Sequence, residues 1–414
     1  MRGLVRHLLV KGEFYHSYNL NRDTMPSALQ YILGTHSAAT VFPNLQKLYC
    51  KVDCNLLQQS MNLLHPGVVN LHVEYLRDRP QFQLSIPVRR LSGLVSLEIG
   101  SDIIRGDMTG LSALHALPCL ATLVLCRYTA TYPVLEVLSR FPALKVIRTK
   151  AAPSAVPDCR GHHPQPSPFK DGSFRELTVL TVSGCSHQIS EILDDKNFPF
   201  YVESLIIESM ECMEDPSPSP VYPKIVAKIP AVTKLEFREI MLDVSSPFAS
   251  LRPFLSYNLT ELRVETYMAL AYTAAEVEEL VQSLSNIKVL SLDPGTLLLC
   301  PPYGTFTFNH LPLFARHCPK LSYLGILLDT SYPCDTFRDG TVPFSVLGEL
   351  NLGASFWSMS LSDGAAASLL LALLLPNVCK LTFETPDHSP FDSVLAKFLT
   401  DFVRNRTVRF LHKL

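Results

Sequence analysis

The sequence has almost no net charge and no long apolar run. Its 36 lysine and arginine residues stand against 38 acidic residues, for a formal charge of -2, which gives no general attraction to nucleic acid or to an anionic membrane. The longest apolar run, residues 365–375, reaches about half of the roughly 20 residues that a membrane-spanning helix needs. Arg6 and His7 interrupt the apolar stretch near the N-terminus, where a secretory signal would be unbroken. We therefore expect no nucleic acid or membrane partner, and a cytoplasmic or nuclear protein.

Cysteine spacing excludes the common zinc and redox motifs. The 11 cysteines are scattered, none forms a Cys-x-x-Cys pair, and the closest two are Cys50 and Cys54. Dispersed cysteines of this kind are typical of reduced core residues in a cytosolic or nuclear protein. Cys159, His162 and His163 lie close together in a proline-rich stretch, but no fourth ligand stands at comparable spacing. We expect an irregular loop there and no bound metal.

Signatures of catalysis are missing from the sequence. It contains no Gly-x-Ser-x-Gly motif, no Gly-x-x-x-x-Gly-Lys phosphate loop and no His-Glu-x-x-His motif. Serine, histidine and aspartate are all present, but no spacing singles out a triad. The sequence therefore predicts a protein that is not an enzyme and that uses no cofactor.

What the sequence does contain is a recurring phrase: an apolar residue, two variable residues, an apolar residue, one variable residue and a third apolar residue. About 28 residues separate successive phrases, which lies within the range of leucine-rich repeats. The phrases begin at Val5, Leu45, Val68, Leu94, Leu120, Leu144, Leu177, Val202, Val232, Leu259, Ile287, Leu321, Leu347, Val378 and Val408.

The phrase predicts a short strand, because alternation places its second and third apolar residues on one face. Leu48 and Cys50 would point inward, and Tyr49 would point outward. Between phrases, residues 274–284 have helical spacing, with Thr273 as the expected cap. Residues 134–141 and 309–317 show a similar pattern. A proline often stands just before the phrase, where it would end the helix: Pro43, Pro118, Pro142, Pro230, Pro319 and Pro376.

One strand and one helix cannot enclose a core alone, so neighbouring repeats must stack. The sequence therefore predicts an α/β leucine-rich-repeat solenoid, an arc or horseshoe with parallel strands on the concave face and helices on the convex face. We expect a single domain, 1–414, of about 14–15 irregular units.

Two segments break the pattern, 151–173 and 211–223, and their proline and serine content predicts loops inserted between units. An acidic run overlaps the second segment and is expected in a solvated loop: Glu208, Glu211, Glu214 and Asp215. The alternative role is regulatory, since Ser217 and Ser219 each precede a proline and phosphorylation there would add negative charge.

Outward strand positions would form the inner surface, which is the usual binding face of such arcs. Its middle is predicted to be charged, with two adjacent groups of three: Lys234, Glu236 and Arg238, then Glu261, Arg263 and Glu265. Two interpretations stay open: a solvated face whose charges satisfy each other, or a polar recognition patch. Further outward candidates for partner binding are Tyr49, His72, Tyr323 and Asn351.

The stretches VRHLLVKG, FPNLQKL and CPKLSYL, with the irregular units, resemble fungal, basidiomycete-type F-box leucine-rich-repeat proteins. The resemblance covers essentially the whole chain. In that family an N-terminal F-box docks onto the adaptor subunit of an SCF-type ubiquitin ligase, and the repeats present a substrate. The resemblance implies a protein-recognition scaffold, similar to the substrate-binding part of such a receptor, with a protein substrate or partner on the concave face.

The F-box itself is not found in this sequence. No Leu-Pro-x-Glu-type opening occurs, and the first phrase starts within five residues of Met1. Because a solenoid end exposes apolar surface unless a polar cap covers it, we expect the N-terminal cap, and with it any F-box that binds the adaptor, to lie outside this chain. The alternative is a free-standing structural or regulatory leucine-rich-repeat protein without a ubiquitin link.

Overall fold

The computed structural model forms two compact units, Met1–Val202 and Glu203–Leu414. The residues that the structure describes are 5–11, 31, 33–52, 60–75, 90–100, 108–150, 168–209, 225, 227–240, 247–266, 272–292, 306–329, 342–353, 367, 370–378 and 380–382. Among these residues, no helix is both long and apolar enough to cross a bilayer.

The first unit contains seven parallel strands that follow one another in chain order. The strands are β1 (His7–Lys11), β2 (Lys47–Val52), β3 (Asn70–Tyr75), β4 (Ser96–Ile99), β5 (Thr122–Cys126), β6 (Val146–Lys150) and β7 (Val179–Gly184). Its helices are α1 (Ala38–Val41), α2 (Met108–Ala113), α3 (Tyr132–Leu138) and α4 (Ser186–Asp194), with 3-10 turns at Met61–Leu63 and Leu114–Ala116.

The second unit repeats this arrangement with another seven parallel strands in chain order. They are β8 (Ser204–Ser209), β9 (Lys234–Ile240), β10 (Glu261–Thr266), β11 (Val289–Leu292), β12 (Tyr323–Ile326), β13 (Glu349–Asn351) and β14 (Lys380–Thr382). Its helices are α5 (Pro247–Leu251), α6 (Ala274–Ser283) and α7 (Leu311–His317), with 3-10 turns at Arg252–Ser256 and Phe308–His310.

The strand register follows the repeated phrase. In each unit the second apolar residue of one phrase lies opposite the second apolar residue of the next, and we call this row the leucine column. In the first unit it is Leu8, Leu48, Leu71, Leu97, Leu123, Ile147 and Leu180. In the second it is Leu205, Leu235, Leu262, Leu290, Leu324, Leu350 and Leu381.

This parallel, sequentially ordered pairing confirms the α/β leucine-rich-repeat fold. The first fourteen phrases each contain a strand, and the phrase at Val408 lies outside the described residues. The division into a single domain, 1–414, stays a prediction.

A tight turn leads into most strands. The backbone N–H of the first phrase residue donates to the carbonyl three residues earlier at Leu45, Val68, Leu94, Leu120, Leu144, Leu177, Val202, Val232, Ile287 and Leu321. Five of the six prolines noted in the sequence occupy the second position of these turns: Pro43, Pro118, Pro142, Pro230 and Pro319. Proline suits that position because its fixed φ matches the turn and its missing N–H is not needed there.

The helical predictions are confirmed at three places. Helix α6 begins after Thr273, whose hydroxyl accepts from the Glu276 N–H at 3.3 Å, while the Glu276 carboxylate accepts from the Thr273 N–H at 2.7 Å. Helices α3 and α7 fall on the other two segments with helical spacing. The inward residues of α6, Val277 and Leu280, are fully buried. Helix and strand rings meet in the core, since Phe254 lies 5.1 Å from Phe237 between ring centroids.

The described end of the first predicted insertion packs against the core. The Phe169 N–H donates to Asp195 Oδ2 at 2.7 Å, and the Tyr132 hydroxyl donates to the same oxygen at 2.5 Å. The Phe169 ring packs edge-on against Tyr132 and Phe174. Burial and the hydrogen bond to Asp195 raise the pKa of Tyr132. Residues 168–173 are therefore held to α3 and to the end of α4. The remainder, 151–167, and the whole of 211–223 lie outside the described residues.

Replacing the α6 cap should weaken that helix. Thr273→Ala removes the hydroxyl that satisfies the Glu276 N–H, and we expect a loss of about 1 kcal/mol. Native-state hydrogen exchange of the α6 amides measures this locally, without assuming that the whole chain unfolds in one step. Thr273→Ser is the matched control, because it keeps the hydroxyl. Equal protection of α6 in the Ala and Ser variants would mean that the cap contributes nothing.

Candidate functional site

The strands present one buried face and one partly exposed face. In β2, Leu48 and Cys50 are buried while Tyr49 between them is half-buried, so the alternation expected from the phrase is confirmed. We call the partly exposed face the outward face. The two units are described separately, because each has its own arrangement of charges.

In the second unit, the six charged residues predicted from the sequence lie on the outward face of β9 and β10. The register places Lys234 opposite Glu261 and Glu236 opposite Arg263. Each arginine also pairs along its own strand, with Arg263 Nε donating to Glu261 Oε1 at 2.7 Å. Lys234 and Glu265 are exposed. The structure thus brings the predicted residues together and places oppositely charged groups side by side.

Arg238 departs from this simple pattern. The register between β9 and β10 shifts between Val264 and Thr266, so Arg238 has no direct partner position on β10. Its guanidinium instead lies between two carboxylates, donating from Nε to Glu236 at 2.7 Å and from an NH group to Glu208 at 2.9 Å. Burial lowers the pKa of Arg238, but the two carboxylates outweigh it and leave the pKa above its ordinary value.

The expectation that Glu208 lies in a solvated loop is wrong. Glu208 belongs to β8 and has 0% exposure. The ion pair with Arg238 supplies the physical reason, because a carboxylate is buried only where a charged partner and hydrogen bonds compensate its lost hydration. The other three residues of the acidic run, Glu211, Glu214 and Asp215, lie outside the described residues.

A series of aromatic and polar side-chain contacts continues across the outward face of the second unit. The Arg263 guanidinium lies 5.3 Å from the centroid of the Tyr323 ring, within the range of a cation–π contact. The Tyr323 hydroxyl accepts from Asn351 Nδ2 at 3.3 Å, and Asn351 Oδ1 accepts from the Gly353 N–H at 2.9 Å. Two further predicted residues, Tyr323 and Asn351, therefore connect to the charged group on β10.

In the first unit, Tyr49 and His72 stack on neighbouring strands. Their rings are 4.0 Å apart between centroids and nearly parallel, at 12°. The Tyr49 hydroxyl donates to Glu74 Oε2 at 2.6 Å, and Lys51 Nζ donates to Glu74 Oε1 at 2.5 Å. Burial, the hydrogen bond to Glu74 and nearby negative charge raise the pKa of Tyr49 to about 12.

Glu98 of β4 contacts the same group, on the side of His72 that is away from Tyr49. His72 Nδ1 lies 2.9 Å from Glu98 Oε2, and Lys150 Nζ donates to Glu98 Oε1 at 2.8 Å across the intervening strand β5. The hydrogen bond from His72 and then the one from Lys150 outweigh burial and lower the pKa of Glu98 to about 2. Burial raises the pKa of Glu74, but Lys51 and Tyr49 leave it below its ordinary value. Both carboxylates are therefore held in their charged form.

A groove of about 990 Å³ lies over this group on the outward face of the first unit. The side chains of the outward face that line it are His7, Leu9, Lys47, Tyr49, Lys51, Asn70, His72, Ser96, Glu98 and Lys150. Its polar groups come from several strands, and some of them pair across the sheet, as Lys150 does with Glu98.

The sequence located Tyr49 and His72 but missed the residues that hold them, which are Glu74, Glu98, Lys51 and Lys150. The phrase itself carries the missing signal. Glu98 occupies the same position in its phrase as Tyr49 and His72 do in theirs, so aligned phrases place the three residues in one row across β2, β3 and β4. The charge type at that position then predicts which neighbours attract.

Cysteine and histidine chemistry offers little in the described residues. No group of three or more histidine, cysteine, aspartate or glutamate side chains there could hold a metal ion. Burial raises the pKa of Cys50 to about 12, which disfavours its thiolate. Cys185 Sγ lies 3.3 Å from His187 Nδ1 on an exposed helix end. The stretch with Cys159, His162 and His163 lies outside the described residues.

Comparisons with known proteins add little. No family model matches the sequence. No curated protein matches it either. Among solved structures, the chain is similar to a chain in the crystal structure of the Rad7 and Elc1 complex in yeast, with 12% sequence identity, a TM-score of 0.41, and coverage of 88% of this chain and 85% of that chain. A likeness of this size carries no inference about function, and the fold assignment depends on the chain's own strand order.

Removing the buried carboxylate should destabilise the second unit strongly. Glu208→Ala removes one of the two carboxylates that compensate the charge of Arg238 in a largely buried position, and we expect a loss of about 3 kcal/mol. The matched control is Glu261→Ala, which breaks a more exposed pair and should cost at most about 1 kcal/mol. Hydrogen exchange of β8 and β9 amides compares the two variants. Similar small losses in both would contradict a buried, compensated ion pair.

The pKa of Glu98 predicts a pH dependence. The pKa of this group is about 2 in the folded chain against an ordinary value of 4.5, so its contribution is complete above pH 4.5 and is lost as the pH falls toward 2. Glu98→Gln should therefore flatten the dependence of the free energy of unfolding on pH within that window. Denaturant unfolding at a series of pH values measures the slope. Glu136→Gln, which removes an ion pair between α3 and Arg140 just beyond its end, serves as the control and should leave more of the slope intact.

Proposed function

We propose that this chain is a non-catalytic protein-recognition scaffold that binds a partner on the outward faces of its strands. The observation that supports this most is the lateral pairing of outward side chains. Residues from different repeats are joined by ion pairs, hydrogen bonds and ring contacts. A partner would therefore meet polar groups that already have fixed positions.

Such fixed positions favour binding because less side-chain freedom is lost when the partner arrives. Arg263 and Tyr323 illustrate the point in the second unit, since each restrains the other and Asn351 holds the tyrosine hydroxyl. Tyrosine and arginine are also the residue types that most often contribute large shares of binding energy at protein interfaces. Tyr49 and His72 play the same part in the first unit.

A catalytic role would need titratable groups that converge on a substrate within a pocket. Here the described carboxylates Glu74 and Glu236 of the outward face are paired with cations, Glu74 with Lys51 and Glu236 with Arg238. This arrangement suits recognition by shape and charge, and it leaves no evident group to act as a nucleophile or general base among the outward side chains described.

A finer proposal follows from the sequence resemblance to F-box leucine-rich-repeat proteins. The chain would then be the substrate-reading part of a receptor for an SCF-type ubiquitin ligase, with the adaptor subunit bound through an F-box outside it. The same outward faces would serve a free-standing structural or regulatory repeat protein equally well. The two roles differ in what happens to the bound partner.

Proximity labelling in the native cell tests the general proposal. Two outward-face variants, Tyr49→Ala with His72→Ala and Arg263→Ala with Tyr323→Ala, are compared with a helix-side control, Arg252→Ala with Lys320→Ala. We expect the wild type and the control to label the same proteins, and at least one outward-face variant to lose several-fold of the signal for a shared subset. Identical labelling by all four chains would refute the outward faces as the recognition surface.

The ligase link is tested on the same labelled proteins. If the chain serves a ubiquitin ligase, depleting it should slow the ubiquitination and turnover of the partners that depend on the outward faces, and the ligase adaptor should co-purify with the protein as expressed from its own gene. If those partners keep their turnover and the adaptor is absent, the role without a ubiquitin link is the correct one.

A further inference from the structure

We infer that the outward face of the first unit binds an acidic segment of a protein partner. The cations that would receive it are Lys47, Lys51, Arg148 and Lys150, which we call the basic strip. This inference rests on the proposed recognition function and adds the chemistry of the partner and the place where it binds.

The first argument is an excess of positive charge. On the outward face of the first unit, the four cations of the basic strip stand against two described carboxylates, Glu74 and Glu98. Lys51 and Lys150 already pair with those carboxylates. Lys47 and Arg148 are left without a carboxylate partner among the residues that the structure describes, and both side chains are exposed. Two cations are therefore available to an anionic ligand.

The second argument is distance. One row of the register runs from Tyr49 through His72, Glu98 and Val124 to Arg148. Four strand spacings correspond to about 19 Å, which an extended peptide of about six residues spans. Lys47 lies on the same strand as Tyr49, at the far end of this row. The groove of about 990 Å³ is lined by residues of β1 to β4 and by Lys150 of β6, and it provides room for such a segment over the part of the row that begins at Tyr49.

The third argument distinguishes a polypeptide from a nucleic acid. Glu74 and Glu98 lie within the same face, and hydrogen bonds keep the pKa of each carboxyl group below its ordinary value. These carboxylates would repel a continuous row of phosphates. A peptide instead offers both kinds of group, carboxylates for Lys47 and Arg148 and N–H donors for the glutamates. The face also offers few rings on which bases could stack, since Tyr49 is covered on one side by His72.

The second unit does not share this property. Four described cations on its outward face, Lys234, Arg238, Arg263 and Lys380, stand against five carboxylates, Glu208, Glu236, Glu261, Glu265 and Glu349. Arg238, Arg263 and Lys380 are each in an ion pair. An acidic segment would gain little there. The sign of the local charge therefore assigns the acidic partner to the first unit.

Fluorescence anisotropy with the full chain tests the inference. The probe is a labelled peptide with six consecutive glutamates, and the reference is the same peptide with six glutamines. We expect the glutamate peptide alone to bind, with an affinity that falls as salt is raised. Lys47→Glu with Arg148→Glu should weaken binding by on the order of tenfold, because both cations are reversed without breaking an ion pair.

Two further variants keep the result interpretable. Lys170→Glu with Arg316→Glu makes the same change in total charge at exposed positions outside the strands, and it should leave binding unchanged. Circular dichroism shows whether the charge reversal disturbs folding. If it does, Lys47→Gln with Arg148→Gln replaces it, because this variant removes both charges without reversing them and should weaken binding less.

Three outcomes overturn the inference. These are no binding of the glutamate peptide, binding that the basic-strip variants leave intact, and equal binding of a six-nucleotide single strand that is lost in the same variants. The last would assign the strip to phosphate. If any of them occurs while the outward-face variants still lose labelled partners in the cell, the acidic-segment inference fails and the recognition function stands.

Discussion

The backbone ladder between successive repeats is the interaction on which everything else in this molecule depends. Individual repeats are too small to enclose a core: each contributes a single strand of three to seven residues, and helix α1 has four residues. Stacking one phrase on the next buries the leucine column from both sides and pairs the strand backbones at the same time. The same strand register therefore buries the apolar core and aligns the side chains of the outward face.

That register also controls the electrostatics of the outward face. Neighbouring strands lie about 4.8 Å apart, so long side chains on adjacent repeats reach one another and short ones do not. Lys150 contacts Glu98 over β5 although the two belong to different rows of the register. The β5 residue opposite Glu98 is Val124 and the one opposite Lys150 is Cys126, and neither has a long or charged side chain that would intervene. The balance of charge in each unit thus depends on which residues occupy the few outward positions of each repeat.

Much of this organisation was predictable from the sequence, because the phrase determines strands, alternation and register together. The capped helix after Thr273 and the outward direction of Tyr49, His72 and Tyr323 followed from local pattern alone. The partners of Arg238 did not. They depend on a register shift between Val264 and Thr266 and on the burial of Glu208, and neither can be predicted from the residues of the phrase. Ion pairs between residues 30 apart or more also lie beyond any local pattern.

The turn that leads into most strands has a consequence for how such a surface can change. Because its hydrogen bond closes within four residues, the strand that follows is aligned locally, whatever the length of the segment before it. Segments of very different length can therefore alternate with strands that keep one register. Insertions and deletions can occur between the strands without changing the register, while point substitutions change the outward face one repeat at a time. The chain separates its scaffold from its outward face, and evolution can vary the second without disturbing the first.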